Sequence, residues 1–202
     1  GTFITRTLYY LKQQMDEGKI TYDDILRKYM HELHANEIVL LSYYIAAINI
    51  EAVFDEINGP DHGYKPFEGI VLTDTFESTE RQNTLDDDMF GENDKRLKKQ
   101  QEVPITAIIS NPPYSVGQKN ANDDNQNVHY LKLEEQIEKS YVKQSHSKLS
   151  MSVYDSYIKA FRWASDRIKN KGIIGFITNN SFLDSNSTDG FRASLYQEFN
   201  YL

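Results

Sequence analysis

Hydrophobic positions along this chain switch between helical spacing and short apolar runs, and the switches mark the elements. Phe3, Ile4, Leu8, Leu11 and Met15 recur at helical spacing and Gly18 follows them, which predicts a helix over residues 2–17. Thr21-Tyr22-Asp23-Asp24 offers an N-cap for a short second helix carrying Ile25, Leu26 and Tyr29. Tyr29 to Ile38 alternates loosely and predicts a short strand ending at Glu37. Residues 39–53 (VLLSYYIAAINIEAV) are apolar on most faces and predict a well-buried helix. After the Asn58-Gly59-Pro60 break, residues 69–73 predict a short buried strand, with Asp74 just past it. Residues 103–110 (VPITAIIS) predict another strand, which runs straight into Asn111-Pro112-Pro113-Tyr114. Leu133, Ile137 and Tyr141 share one face of a helix within residues 130–150. Tyr154, Ile158, Phe161, Trp163, Ala164 and Ile168 predict a stronger helix closed by Gly172. Residues 173–178 (IIGFIT) predict a strand ending at Asn179-Asn180-Ser181, and residues 191–199 a final helix.

Strands alternating with helices imply an α/β fold with a mostly parallel sheet covered on both faces. Ligands of such sheets sit outside the carboxyl ends of the strands. Four predicted strands end in polar residues suited to that place: Glu37, Asp74, Asn111 and Asn179. Two polar stretches, about 77–102 and 117–150, read as excursions from one domain over residues 1–202. The first is acidic up to Asp94 and then basic (Lys95, Arg96, Lys98, Lys99), which reads as a solvated face.

Composition narrows the classes. The 202 residues include 22 Lys+Arg and 30 Asp+Glu, a net charge of −8. Nucleic-acid affinity comes largely from Lys and Arg on phosphates, so the chain does not read as a self-sufficient nucleic-acid binder. Cys is absent, which excludes disulfides and zinc–thiolate sites and fits a cytoplasmic setting. The five His residues show no ligand spacing on one helix face, and no metal site is expected. No apolar run approaches the roughly 20 residues that span a bilayer, so no membrane partner is expected.

The Asn-Pro-Pro-Tyr sequence carries the sharpest chemistry. Two prolines fix φ twice and donate no N–H, and the first pushes Asn111 towards an extended conformation. An amide oxygen and a rigid carbonyl then face outward together, suited to the two donors of an exocyclic amine. Tyr114 offers a face on which a planar ring can stack. The residues alone also allow a stiff Pro-Pro turn and nothing more.

Asn111 to Tyr114 resembles the catalytic motif of amino-methyltransferases, chiefly those that methylate N6 of adenine in DNA. The resemblance implies a Rossmann-like, S-adenosylmethionine-dependent fold, incomplete in this chain, with no metal. It places Gly1, Thr2 and Phe3 in the tail of the glycine-rich cofactor loop. It places Glu37, followed by Ile38, on the cofactor ribose and Asp74 near its adenine. Each has a plainer reading: Phe3 as core, Glu37 as a helix cap, Asp74 in an Asx turn. The wording GTFITR, ELHANEI, YYIAAINIE, NPPYSVGQKNANDDNQN, YDSYIKAFRWASDRI and GFITNNSFLDSNSTDGFR resembles the methyltransferase region of Type ISP restriction-modification proteins. These join nuclease, helicase-like, methyltransferase and target-recognition domains in one polypeptide, and the implied partner is double-stranded DNA with a flipped adenine.

The alternatives left open are a glutamine-amide methyltransferase with a similar socket, and a folded fragment binding neither cofactor nor DNA tightly alone. The front of the cofactor loop is not in this chain, so weak cofactor binding by the isolated segment is expected. Phosphate-binding charge is then expected from neighbouring regions of the parent protein.

Overall fold

The computed structural model describes residues 1–80, 91–113, 129–147 and 151–202. The chain divides into two compact units, residues 1–78 with 83–103 and residues 79–82 with 104–202.

The first unit opens with α1 (Thr2–Asp16) and α2 (Tyr22–His31). Gly18, at φ 72°, ends α1 in a Schellman turn: its N–H donates to Met15 O and Lys19 N–H donates to Gln14 O, both at 2.9 Å. Thr21 and Asp24 form a reciprocal capping box at the start of α2. That cap carries the helix through Tyr29 to His31, so the strand expected from Tyr29 onwards is only β1 (Ala35–Glu37). Helix α3 (Leu40–Asn58) follows, then β2 (Ile70–Leu72), the single turn α4 (Glu77–Glu80), whose last two residues belong to the second unit, and α5 (Gly91–Glu102). β1 and β2 pair in parallel, with Glu37 opposite Leu72. Leu8, Leu11, Ile25, Tyr29, Ile50, Phe54, Phe67 and Ile70 form the core beneath them. Tyr29 stacks on Phe54 at 3.6 Å between ring centroids, and its hydroxyl donates to Lys65 O at 3.0 Å.

Two expectations fail here. α3 buries Ala46, Ile50, Val53 and Phe54, but Leu41 and Ile48 on its other face are 68% and 64% exposed, with Tyr44 and Ile45 beside them. Its all-round apolarity therefore does not bury it. Phe3 is 39% exposed and outside the core.

The second unit contains β3 (Ala107–Ser110), α6 (Leu131–Ile137) continuing into a π-helical turn (Glu138–Val142), α7 (Ser156–Arg167), β4 (Ile173–Phe176), α8 (Ser181–Asp184) and α9 (Asp189–Glu198). β3 and β4 pair in parallel from Ala107↔Ile173 to Ser110↔Phe176. Leu133, Ile137 and Tyr141 are buried, so the latter part of the stretch expected as an excursion supplies core. Phe191 packs edge-on against Tyr141 and Phe161, and Phe161 lies 4.9 Å from the Phe176 ring of β4. α7 ends at Arg167, before Gly172. Gly172 instead admits the close approach of Thr106 O, which a Cβ would meet at 2.5 Å. The architecture is α/β, and every strand pair among the described residues is parallel. Among those residues, no helix is long and apolar enough to cross a membrane.

Candidate functional site

In the first unit, the carboxyl ends of β1 and β2 carry Glu37 and Asp74. Strand pairing continues to their brink, because Thr73 N–H donates to Glu37 O at 2.9 Å. Glu37 turns its side chain back on its own main chain. One oxygen, Oε1, accepts from Ile38 N–H at 3.0 Å and from Val39 N–H at 3.1 Å. Both amides precede α3, whose N-cap is Val39 and offers no side-chain acceptor of its own. Glu37 thus serves the start of that helix through a single oxygen, and Oε2 stands outside the fork.

Asp74 Oδ1 accepts from Phe76 N–H at 2.9 Å and Glu77 N–H at 3.3 Å, an Asx-type turn that starts α4. Asn36 Nδ2, from β1, donates to Thr75 Oγ1 at 3.2 Å beyond that turn. The two acidic residues are therefore fixed at neighbouring strand ends by main-chain amides. Thr2 and Ile38 are exposed. Gly1 packs on α3: a Cβ there would lie 3.2 Å from Ala46 Cα. The basic side chains of α5 are partly engaged, Lys95 with Glu92 at 2.7 Å and Arg96 Nη1 with Tyr43 Oη at 3.3 Å.

In the second unit, the β3–β4 ladder runs until Ile177 N–H donates to Ser110 O at 3.0 Å, and Asn111 follows at once. Asn111 is exposed, Pro112 buried and Pro113 exposed. The motif thus leaves the strand anchored by a buried proline ring, with the Asn side chain on the solvent side. Tyr114 and residues 117–128 of the polar loop lie outside the described residues. At the end of β4, Asn179 Oδ1 accepts from Ser181 N–H at 3.1 Å and from its hydroxyl at 2.5 Å. Burial pushes the nearby Tyr157 hydroxyl above its ordinary range, partly offset by its contact with Ser181 Oγ at 3.5 Å. A surface cavity of about 250 Å³ in this unit is lined by Lys132, Leu133, Gln136, Trp163, Asp166 and Arg167, none of them at a strand end. Among the described residues, no group of three His, Cys, Asp or Glu side chains could hold a metal ion.

Asn93 had no sequence signal. It bonds both main-chain groups of Leu72, two residues before Asp74. An amide among the charged residues of α5 gives no hint of this.

Comparison with curated proteins gives no match. Among solved structures, a nuclease-deletion mutant of the Type ISP restriction-modification enzyme LlaGI, in complex with a DNA substrate mimic, is 66% identical at a TM-score of 0.94, over 99% of this chain and 16% of that one. The ATP-dependent Type ISP enzyme LlaBIII, bound to DNA, is 64% identical at a TM-score of 0.91, over 96% of this chain and 13% of that one. A DrdV–DNA complex is 39% identical at a TM-score of 0.83, over 98% of this chain and 18% of that one. The chain therefore spans less than a fifth of the length of each of these relatives. A family model agrees with them over nearly every residue, 4–201, and the chain belongs to the Eco57I restriction-modification methylase family.

Proposed function

We propose that this chain is the methyltransferase segment of a longer Type ISP-like restriction-modification polypeptide. In that protein it transfers a methyl group from S-adenosylmethionine to N6 of an adenine flipped out of double-stranded DNA. The observation that carries the reading is Asn111-Pro112-Pro113 at the end of a paired parallel strand, with Pro112 buried and Asn111 exposed. The relatives' DNA complexes favour DNA over a glutamine side chain as the acceptor.

The donor set of the first unit fits the cofactor. Glu37 Oε2, outside the amide fork, is an acceptor suited to ribose hydroxyls. Asp74 stands at the neighbouring strand end, where a nucleoside's base would continue from its ribose. When bound, S-adenosylmethionine supplies an activated methyl on its sulfonium.

The chain's own residues position the nucleophile. Asn111 Oδ1 and the Pro112 carbonyl accept the two N6 hydrogens, which favours a nitrogen lone pair aimed away from them. The buried Pro112 ring and the double proline fix the backbone that carries both acceptors, and such orientation accounts for much of the rate in reactions of this kind. Tyr114 is assigned to stack on the adenine, which must leave the duplex to arrive. Flanking nuclease, helicase-like and target-recognition domains are assigned the remaining work, including most of the phosphate contacts that a chain of net charge −8 supplies poorly.

The test is Asn111→Ala in the whole polypeptide, with radiolabelled methyl incorporation followed by nucleoside analysis of the DNA. Native protein is expected to yield N6-methyladenine, and the variant to lose at least about a hundredfold in rate with cofactor affinity kept. N4-methylcytosine, label in protein, or an active variant would each refute the assignment.

A further inference from the structure

At Leu72, the edge of β2 that faces away from β1 is met by the side chain of Asn93. In a parallel pair, successive residues of a strand aim their N–H and C=O groups at opposite edges. Thr73 N–H donates to Glu37 O in β1, so Leu72, one residue earlier, aims both of its groups outward. Asn93 of α5 meets both. Leu72 N–H donates to Asn93 Oδ1 at 2.9 Å, and Asn93 Nδ2 donates to Leu72 O at 2.9 Å. One carboxamide thus stands where a further strand would pair.

Besides Asn93, α5 is tied down through Gln101 Nε2, which donates to Ser78 O at 2.9 Å, and through Arg96. Its inner face is Asn93, Arg96, Leu97 and Gln100, all only partly buried, and the helix has no fully buried residue. Leu97 is the one apolar side chain of that face. Apolar burial therefore contributes little, and polar contacts, those of Asn93, Arg96 and Gln101 among them, place the helix.

We propose that Asn93 is a positioning residue of the cofactor site, clamping the carboxyl end of β2 and so setting where Asp74 stands beside Glu37. Leu72 lies two residues before Asp74, and the segment between them is gripped on both edges: by Glu37 O on one side and by Asn93 on the other. Without Asn93, the outward groups of Leu72 lose the partner they have among the described residues, and the strand end that carries the Asp74 turn is left to its β1 contacts, Thr73 with Glu37 O and Thr75 with Asn36. The inference rests on the reading of Glu37 and Asp74 as cofactor-binding residues.

The test measures S-adenosylmethionine affinity calorimetrically in the whole polypeptide, with DNA affinity and melting temperature recorded alongside. Asn93→Leu keeps the branched shape and heavy-atom count of the side chain and removes both hydrogen bonds. Asn93→Asp keeps an acceptor for Leu72 N–H but sets a carboxylate against the Leu72 carbonyl. Each is expected to raise the cofactor Kd about tenfold while the DNA Kd stays within about twofold. Faster hydrogen exchange at the Leu72 amide should accompany the loss. Native cofactor affinity in both Asn93 variants, beside a weakened Asp74→Ala protein, overturns the inference. So does a parallel loss of cofactor affinity, DNA affinity and melting temperature, which would mark a general structural role. Native affinity in Asp74→Ala removes instead the reading of Asp74 on which the inference rests.

Discussion

Glu37 is where a helix cap and a cofactor ligand can be separated by one atom. Its Oε1 takes both amides, Ile38 N–H at 3.0 Å and Val39 N–H at 3.1 Å, and Oε2 takes neither. Glu37→Gln can keep the carbonyl oxygen in the fork and place Nε2 where Oε2 was. The helix start is then preserved, but under the proposed cofactor role a donor would face the ribose hydroxyls where an acceptor stood. Hydrogen bonds to a charged group contribute about 1.5–3 kcal/mol each. Losing even one corresponds to roughly a tenfold to hundredfold rise in Kd, at 1.4 kcal/mol per decade. Glu37→Ala loses the fork as well, which costs about 1 kcal/mol for a helix cap. In a unit of this size that amounts to a fall in melting temperature of about 4–8 °C. Calorimetric titration with S-adenosylmethionine and thermal melting of both variants resolve the two effects. The expected pattern is a Gln variant that melts like the native protein and binds poorly, and an Ala variant that fails in both. A Gln variant with native affinity would refute the ligand role and leave Glu37 as a cap alone.

Two further predictions concern the second unit. Arg162, 6% exposed, lies over the Tyr141 ring and spans α7 and α9 through Glu198 (2.6 and 3.1 Å) and Asp166 (2.8 Å). Arg162→Met is expected to destabilise the unit by about 3 kcal/mol in urea titrations, the low end for breaking a buried pair, because both carboxylates can rehydrate; a loss below about 1 kcal/mol would show the pair to behave as a surface one. Burial pushes the Glu134 carboxyl up, but Lys159 at 2.6 Å and His129 outweigh it and hold it below the usual range. A folded value below the unfolded one gives stability that is present above about pH 4.3 and lost as pH falls through the folded value. Lys159→Met should therefore flatten the acid limb of the stability curve below about pH 5, and an unchanged limb would refute the coupling.

What was legible in the chain follows from where the determining residues sit. Strand ends announce themselves locally, because an apolar run must give way to polar residues: Glu37 closes β1, Asp74 stands two residues past β2, and Asn111 just past β3. Helix starts and stops are equally local, and Thr21, Asp24 and Gly18 form the cap and turn their types suggest. Strand lengths were overestimated because apolar flanks such as Val103 and Ile105 obey the same pattern without joining the ladder. The burial of α3 was misjudged for a related reason. Hydrophobicity records that a face avoids water, and it does not say which atoms cover it; Leu41, Ile45 and Ile48 are as apolar as Ile50 and Val53, yet exposed. Edge closure is the least legible feature of all. Asn93 acts on Leu72 from 21 positions away, and nothing in either residue's neighbourhood marks the pairing. A strand end is a property of a segment, whereas a strand edge is a property of two segments. The carboxylates at the strand ends could therefore be read from the sequence, but the contact of Asn93 with Leu72 is defined only once the helix is set against the strand.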